Sequence, residues 1–307
     1  MILCCGEALI DMLPRETAEG LPAFAPHPGG SVFNTAIALG RLGAPAGFFS
    51  GLSGDMFGRL LSEALADSHV RAELVHVSDR PTTLAFVSLL DGQARYTFYD
   101  ESTAGRMLSQ SDLPALPEEV RALFFGGISL VSEPCGTTYE ALMTRAAAGR
   151  AVMLDPNIRP GFVTDAPAYR ARLARMIALA DIVKLSDEDL AWLEGPGAMA
   201  DHARALLGRG PALVVVTRGA AGATGYTAAH EVYVPAPSVT VADTVGAGDT
   251  FNAGLLAALE RAGQLDKARL ARLGESELRS ALNLGVHAAS VTVSRPGANP
   301  PRSEELT

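Results

Sequence analysis

Short apolar runs alternate with helix-length segments over most of this 307-residue chain. This alternation is typical of β-α-β units, in which parallel strands form a sheet and helices cover its faces. We predict strands at 2–9, 46–50, 122–125, 152–154, 182–185 and 213–217. We predict helices at 31–42, 56–65, 138–148, 169–179, 200–207, 249–260 and 277–289. The pattern predicts an α/β fold with a mainly parallel central sheet.

One segment interrupts this rhythm. Residues 82–90 and 94–99 are rich in β-formers, and Asp91-Gly92 between them is a strong hairpin signal. Residues 12–25 look irregular or extended. We predict a single domain over 1–307, with a small β lid formed by about 12–25 and 82–100. The alternative is an edge hairpin of the central sheet.

Composition excludes several classes of protein. A hydrophobic content of 48% is enough for a sizeable core, and a net charge of −9 argues against nucleic acid as a partner. No apolar run has the roughly 18 residues of a membrane span, and Glu7 and Asp11 come too early for a signal peptide. We expect a cytoplasmic protein. Its cysteines form no Cys-x-x-Cys pair, and its six histidines show no metal-ligand spacing.

The most informative motif is Asp-Thr-Val-Gly-Ala-Gly-Asp-Thr-Phe-Asn-Ala-Gly at 243–254. Gly246, Ala247 and Gly248 open an apolar helix, and the free N–H groups of such a helix start can bind a phosphoryl group. Asp249 follows in the first turn, where a carboxylate can accept the proton of a sugar hydroxyl. An Asp at this place is also common simply because it offsets the helix dipole.

A second glycine pair, Gly29-Gly30, opens another predicted helix. Adjacent glycines let the backbone approach a ligand closely. With Ser31 as the expected cap, Asn34 lies at the third helical position, where its amide offers a donor and an acceptor to a polyol. A tight turn with a serine cap explains the same residues without a ligand.

Polar residues also follow the predicted strands. Asp11 ends the first strand, at the sheet edge where α/β proteins bind ligands, and a carboxylate there can take two sugar hydroxyls. A solvated loop aspartate is the alternative. Residues 155–160, Asp-Pro-Asn-Ile-Arg-Pro, form a rigid polar loop in which Asn157 and Arg159 can face substrate oxygens.

Polar residues and glycines also follow two later predicted strands. Ser186 and Asp189 fit a capping-box pattern, which by itself explains both residues. Thr217, Gly219 and Gly222 form either a nucleotide-side turn or a tight hairpin before 224–226.

Together these residues resemble the PfkB, or ribokinase-like, family of carbohydrate kinases over essentially the whole chain. Gly29-Gly30-x-x-x-Asn34 resembles its N-terminal signature, and 243–254 resemble its C-terminal signature closely. Within the family, 6–11, 155–160 and 216–219 look most like bacterial fructokinases. The resemblance implies a three-layer α/β/α sandwich with a β lid over the sugar, and a homodimer formed through that lid.

The resemblance also implies roles for individual residues. Asp249 would be the catalytic base, and the amides of Gly246, Ala247 and Gly248 the anion hole. The sugar would be bound by Asp11, Gly29, Gly30, Asn34, Asn157 and Arg159. The nucleotide would lie along Ser186, Thr217, Gly219, Gly222 and Asn283. A monovalent cation such as K⁺ would be held by Asp243, Val245, Thr292, Arg295 and Gly297, mostly through carbonyl oxygens. The family's Asn-x-x-Glu element, which is associated with Mg²⁺ and phosphate, appears here as Ser186-x-x-Asp189. The resemblance implies that Asp189, a shorter carboxylate than the usual Glu, contacts Mg²⁺ through water.

We therefore expect ATP- and Mg²⁺-dependent phosphorylation of a hexose, D-fructose to fructose 6-phosphate. The alternative is a kinase for another sugar, such as 2-keto-3-deoxygluconate. An acidic sugar favours a cationic lid, whereas 96–101 read Tyr-Thr-Phe-Tyr-Asp-Glu, although Arg95 and Arg106 lie close. A non-catalytic sugar sensor has no use for Asp249 beside an anion hole. A dinucleotide-binding dehydrogenase is disfavoured because no Gly-x-Gly-x-x-Gly follows the first strand.

Overall fold

The computed structural model describes residues 1–90 and 93–306 of the chain. In these ranges the strands are β1 (Ile2–Cys5), β2 (Leu9–Glu16), β3 (Pro22–Gly29), β4 (Ala46–Phe49), β5 (Gly51–Ser53), β6 (His76–Ser78), β7 (Leu84–Leu90), β8 (Gln93–Tyr99), β9 (Ala122–Gly126), β10 (Ala151–Asp155), β11 (Ile182–Ser186), β12 (Leu213–Thr217), β13 (Ala223–Tyr226) and β14 (Glu231–Val234). The helices are α1 (Ser31–Arg41), α2 (Met56–Asp67), α3 (Cys135–Ala146), α4 (Ala166–Leu179), α5 (Asp187–Glu194), α6 (Met199–Leu207), α7 (Ala247–Arg261), α8 (Lys267–Leu270) and α9 (Glu275–Val293). Each predicted helix is present, with ends within a few residues of the prediction.

The main sheet has eight strands in the order β14-β13-β12-β11-β10-β9-β1-β4. Its neighbours from β4 to β12 are parallel, whereas β13 and β14 run antiparallel at one edge. The central strands are buried on both faces, which is why they read in the sequence as short uninterrupted apolar runs. The predicted α/β fold with a mainly parallel sheet is confirmed.

Helices pack on both faces of this sheet, because side chains of a strand alternate between its two sides. Ile2 and Cys4 of β1 belong to a core with helices α1, α7 and α9. Leu3 and Cys5 of the same strand belong to a second core with α3, α4 and α6. The result is three layers, with the sheet in the middle. None of the helices in the described residues is both long and apolar enough to cross a membrane.

A separate sheet of four strands, which we call the lid sheet, has the order β3-β2-β7-β8. The predicted lid segment therefore projects from the main sheet, and the alternative of an edge hairpin on the central sheet is wrong. The stretch expected to be irregular or extended forms the antiparallel pair β2 and β3. The turn predicted at Asp91-Gly92 lies outside the described residues, and Leu90 and Gln93 on either side of it are register partners.

The predicted first strand, 2–9, is wrong in its extent. β1 ends at Cys5, and the chain bends before it enters the lid sheet as β2. The bend is fixed by the buried carboxylate of Glu7, which accepts the N–H groups of Ser31 at 3.0 Å and Ser129 at 3.3 Å. Asp11 consequently lies inside β2 rather than at the end of the first strand, so it reaches the site from the lid.

The prediction that Ser31 caps α1 is also wrong. Gly30 occupies the cap position, and Ser31 is the first residue of the helix. Its hydroxyl points across to α7 instead of back to its own helix, where the carboxylate of Glu7 already binds the terminal N–H.

Candidate active site

Helix α7 begins with N–H groups that no side chain caps in the described part of the chain. Gly246 precedes it with a φ of 76°, and a Cβ atom there would lie 2.7 Å from Cβ of Ala298. Both the left-handed backbone and this close contact require glycine. The N–H of Ala247 makes only a long contact of 3.4 Å with the Thr244 carbonyl. The glycine turn therefore leaves the start of α7 without a side-chain cap, which is the arrangement that binds anions.

Asp249 lies in that first turn, and its side chain is directed at helix α1. Ser31 Oγ donates to Asp249 Oδ1 at 2.9 Å, and Asn34 Nδ2 donates to Asp249 Oδ2 at 2.9 Å. The residue is only 7% exposed. The two helices that the sequence predicts to begin after glycines, α1 and α7, therefore meet at this carboxylate. Asn34 and Asp249 are 215 residues apart in the sequence.

Burial raises the pKa of the Asp249 carboxyl to about 6. The hydrogen bonds from Asn34 and Ser31 oppose this effect because they stabilise the charged form. Among nearby charges, Asp155 raises the pKa further and Lys184 lowers it. A carboxylate whose pKa lies near neutrality is suited to accept a proton during a reaction.

A buried polar group lies beneath the start of α7. Lys184 Nζ is 3.0 Å from Asp155 Oδ2, and Asn252 Nδ2 donates to the same oxygen at 2.7 Å. Lys184 is 3% exposed and Asp155 1%. A Cβ atom on Gly248 would lie 3.3 Å from Lys184 Nζ. The ammonium group thus adds positive charge directly beside the uncapped N–H groups.

The predicted sugar-binding residues surround Asp249 from two sides. Asn157 Nδ2 donates to Ser31 Oγ at 2.7 Å, and Arg159 donates to Asn157 Oδ1 at 2.7 Å. Asp11 lies against Gly29, where any side chain would overlap its carboxylate. Burial raises the pKa of Asp11 to about 6. Loop 155–160, helix α1 and the lid sheet therefore converge at one place.

Aromatic residues of the lid sheet cover this cleft. Burial raises the pKa of Tyr96, the charges of Asp11 and Asp243 raise it further, and Arg159 opposes them, so these three charges lie within electrostatic range of the Tyr96 hydroxyl. The Phe98 and Phe162 rings meet edge to face, with centroids 4.3 Å apart. Strand β8 thereby contacts the turn that follows Arg159. Sequence analysis had assigned no role to these aromatic residues.

The predicted nucleotide residues lie mostly along adjacent strand ends. Ser186 and Thr217 are register partners at the ends of β11 and β12. The turn after Thr217 is a hairpin, closed by Arg218 N–H donating to the Gly222 carbonyl at 2.8 Å and by Gly222 N–H donating to Gly219 at 3.0 Å. Asn283 is exposed on α9, which packs against this hairpin. Their role in nucleotide binding stays a prediction.

The capping box predicted at Ser186 and Asp189 is present. Asp189 N–H donates to Ser186 Oγ at 2.9 Å, and Ser186 N–H donates to Asp189 Oδ2 at 3.2 Å. Asp189 Oδ1 also accepts the N–H of Ile158 at 2.9 Å. The carboxylate therefore anchors loop 155–160 to α5. Each of its oxygens keeps a second lone pair, which fits the predicted water-mediated contact with Mg²⁺.

The five predicted cation residues lie in the loop before α7, in the last turn of α9 and in the segment that follows α9. Asp243 accepts N–H groups from Val245 at 3.0 Å and from Gly297 at 2.9 Å. The Thr292 hydroxyl donates to Thr250 Oγ1 at 3.0 Å, and the Arg295 side chain is paired with Glu305. In the described residues no three His, Cys, Asp or Glu side chains form a metal cluster. Cation binding at these residues stays a prediction.

Sequence reasoning missed four residues of the site. Ser31 was interpreted as a cap, and Lys184, Asp155 and Glu7 were given no role at Asp249 or α1. The available signal was a charged residue within or directly after a buried apolar strand, because such charges are rare unless paired. Lys184 in particular is one of only two lysines in the chain.

Comparisons with known proteins identify relatives of this chain. A family model described as pfkB family carbohydrate kinase matches residues 1–305. The fructokinase of Rhizobium leguminosarum bv. trifolii is 56% identical over 283 residues, which are 91% of this chain and 86% of that protein. The structure of Xylella fastidiosa fructokinase with bound ATP has 30% identity and a TM-score of 0.89, covering 99% of this chain and 96% of that one. A double mutant of Vibrio cholerae O395 fructokinase with fructose, ADP and potassium ion has 26% identity and a TM-score of 0.87, with the same coverage.

Proposed function

The chain belongs to the pfkB family of carbohydrate kinases, and from this premise we propose that it transfers the γ-phosphate of ATP to D-fructose, giving fructose 6-phosphate. The observation that carries the proposal is the position of Asp249. Its buried carboxylate lies in the first turn of α7, beside uncapped N–H groups and in contact with Asn34. This combination brings together a proton acceptor and a site for phosphoryl oxygens.

The sugar binds between helix α1 and the lid sheet. Asp11 and Asn34 supply a carboxylate and an amide for neighbouring hydroxyls, and Arg159 adds a cationic donor from the opposite loop. Tyr96 and Phe98 close the cleft from above, which limits the access of water and hence wasteful hydrolysis of ATP. The primary hydroxyl is then directed to the γ-phosphate.

Phosphoryl transfer proceeds through a loose transition state, so the hydroxyl proton leaves late. Asp249 accepts that proton while the N–H groups of Gly246, Ala247 and Gly248 bind the phosphoryl oxygens. Lys184 adds positive charge beneath them. Asp189 would hold Mg²⁺ through water, and the ion would supply positive charge that offsets the charge of the phosphates.

A monovalent cation, K⁺, fits beside this anion hole. The loop before α7 and the end of α9 bring together carbonyl and carboxylate oxygens, which are the donors that hard cations prefer. The similar fructokinase of Vibrio cholerae O395 has been solved with a bound potassium ion, which supports the proposal that this chain binds a monovalent cation.

The charge of the lid argues for a neutral sugar. Arg106, one of the two arginines near the lid that could attract an acidic sugar such as 2-keto-3-deoxygluconate, is paired with Asp100 at 2.9 Å. The 56% identity to a fructokinase agrees with a neutral ketose.

A coupled ADP-release assay tests the proposal across D-fructose, other ketoses, aldoses and 2-keto-3-deoxygluconate. D-Fructose should give the highest kcat/KM. Asp249→Asn should lower kcat by about 10² to 10⁴, the usual effect of losing a general base. Asp201→Asn is a matched control, because Asp201 occupies the same third position of α6 and its side chain is 79% exposed. A preference for the sugar acid, or an unimpaired Asp249→Asn variant, would contradict the proposal.

We also propose a homodimer formed through the outer face of the lid sheet. Phe24, Phe86 and Tyr99 form a row of edge-to-face contacts there, and Tyr99 is 61% exposed. Tyr99→Glu should shift the mass measured by light scattering from dimer to monomer. Val77→Glu places the same charge at an equally exposed apolar residue outside this sheet and should leave the mass unchanged.

A further inference from the structure

The hydroxyl of Ser31 links the sugar-facing loop to the carboxylate of Asp249. Arg159 lies 2.7 Å from Asn157 Oδ1, Asn157 Nδ2 lies 2.7 Å from Ser31 Oγ, and Ser31 Oγ lies 2.9 Å from Asp249 Oδ1. These four side chains form one continuous row of hydrogen bonds across the cleft.

The direction of every bond in this row follows from the donors available. Arginine has no acceptor, so it must meet the oxygen of the Asn157 amide, and this fixes the amide nitrogen toward Ser31. Because that nitrogen donates to Ser31 Oγ, the single hydroxyl proton is left for Asp249. Ser31 therefore has one orientation in which all partners are satisfied.

The backbone around Asn157 keeps the row in place. Asn157 has a φ of 43°, a left-handed conformation that asparagine tolerates better than most residues. Its N–H donates to Asp155 at 3.1 Å, and the next N–H donates to Asp189. The loop is thus tied to two buried carboxylates, so the amide that orients Ser31 is itself held.

We propose that Ser31 is a positioning residue for the kinase reaction: its hydroxyl, oriented by Asn157 and Arg159, holds the Asp249 carboxylate toward the reactive sugar hydroxyl. This inference rests on the proposed function, because it requires Asp249 to be the base. Asn34 holds the second carboxylate oxygen, so the two donors from α1 together fix the rotamer of Asp249.

The proposal has a consequence for the charge of Asp249. The groups that face its carboxylate are Ser31 and Asn34 of α1, Asp155 at the end of β10 and Lys184 of β11. Ser31 is one of only two uncharged donors in this set, and its bond favours the ionised carboxylate. Its loss should make the base harder to ionise as well as less well oriented.

The test compares the pH dependence of kcat for wild type, Ser31→Ala and Ser31→Thr. Ser31→Ala should shift the acid limb upward by about one pH unit, since a hydrogen bond to a charged group is worth about that much. Its plateau kcat should fall by about tenfold. Ser31→Thr, which restores a hydroxyl, should recover most of both effects.

Thr35→Val is the matched control. The Thr35 hydroxyl contacts the same two residues, but through the carbonyls of Ser31 and Asp249 rather than the carboxylate. Removing it tests whether any lost hydroxyl between α1 and α7 perturbs the site, and its acid limb should stay at the wild-type pH.

Asn157→Gly is a second variant that keeps the positive φ available but releases the Ser31 hydroxyl. Asn157→Gly should shift the acid limb of the pH profile in the same direction as Ser31→Ala, by a smaller amount. It provides the test if Ser31→Ala does not fold. The role of Ser31 would be overturned if the acid limb of kcat stayed at the wild-type pH in both Ser31→Ala and Asn157→Gly. A Ser31→Thr variant as impaired as Ser31→Ala would also overturn it. An active Asp249→Asn enzyme would instead remove the base assignment, so the two failures are distinguishable.

Discussion

The starts of helices α1 and α7 are built alike and used differently. Each follows a glycine with a positive φ, 106° at Gly30 and 76° at Gly246, and neither has a side-chain cap at its own cap residue. At α1 the first N–H is taken by the buried carboxylate of Glu7. At α7 no carboxylate binds the N–H groups in the described residues, and the ammonium of Lys184 lies beside them instead.

The charge beside each helix start distinguishes α1, whose start is satisfied within the protein, from α7, whose start is suited to bind a ligand. A negative group stabilises the positive end of a helix dipole, so the start of α1 is already satisfied within the protein by the Glu7 carboxylate. A cation at the same end of α7 is unfavourable by itself and becomes favourable when an anion binds between them. The same local motif therefore acquires opposite roles from the charge that the tertiary structure places beside it.

The largest expected effect concerns the charge beneath α7. Lys184→Met leaves Asp155 buried without its partner, so the free energy of unfolding should fall by about 3–5 kcal/mol in urea denaturation. Lys267→Met is the control, because the only other lysine pairs with Asp181 while 38% exposed and should cost about 1 kcal/mol or less. Equal losses of unfolding free energy in the two variants would mean that the buried ion pair beneath α7 contributes no more to stability than the more exposed pair of Lys267.

The next effect concerns how stability depends on pH at Asp249. Its pKa is raised from 3.8 to about 6, so the folded state holds the proton more tightly than the unfolded state. Its contribution to stability is fully present below pH 3.8 and is lost as the pH rises through 6. Relative to Asp249→Asn, wild type should lose about 3 kcal/mol of unfolding free energy between pH 3.5 and 7.5.

A pH-independent difference between these two proteins would contradict the burial of a charged base. In wild type, kcat/KM should rise with pH through the same region as the carboxylate ionises. Asp11, whose pKa is also raised to about 6, should make this limb steeper, and Asp11→Asn should reduce it to a single ionisation.

A smaller effect is expected at α1. Glu7→Gln replaces one acceptor oxygen by an NH₂ group that faces a main-chain N–H, either that of Ser31 or that of Ser129. The unmade hydrogen bond should lower the free energy of unfolding by about 1–3 kcal/mol. Thermal unfolding at pH 8 measures the loss. An unchanged melting temperature would show that α1 does not depend on this carboxylate.

The smallest effect on stability is expected at the turn before α7. Gly246→Ala and Gly43→Ala impose the same left-handed strain, about 1–2 kcal/mol, since both glycines have a φ of 76°. Of these two methyl groups, only the one at 246 meets another of the described residues, Ala298. Gly246→Ala should therefore also raise the KM for ATP severalfold, whereas Gly43→Ala should not. Equal KM values would argue against anion binding at this turn.

Much of the fold could be predicted from particular sequence patterns. The run at 213–217 became β12 without change, and the capping box at Ser186 and Asp189 formed as expected. Such features depend on neighbours in the chain. The first strand was predicted too long because residues 2–9 are nearly all apolar, and nothing local indicates that Glu7 bends the chain between two sheets.

The candidate site was predictable only in part for the same reason. Asp249 and Asn34 belong to motifs whose residue types suggest their chemistry, and their hydrogen bond agrees with that prediction. Ser31 and Lys184 belong to no motif. Their importance comes from partners that are more than a hundred residues away for Ser31, at Asn157 and Asp249, and from burial that a sequence does not display.

The sequence by itself determined the order of strands and helices, the two glycine-opened helix starts and the presence of a carboxylate in the first turn of one of them. Apolar periodicity and the conformational freedom of glycine act over a few residues, so they can be recognised in the sequence. The tertiary structure alone decided which helix start is closed by Glu7, which is left open above Lys184, and that Ser31 faces Asp249. Hydrogen bonds and ion pairs between distant segments exist only after the sheet has brought those segments together.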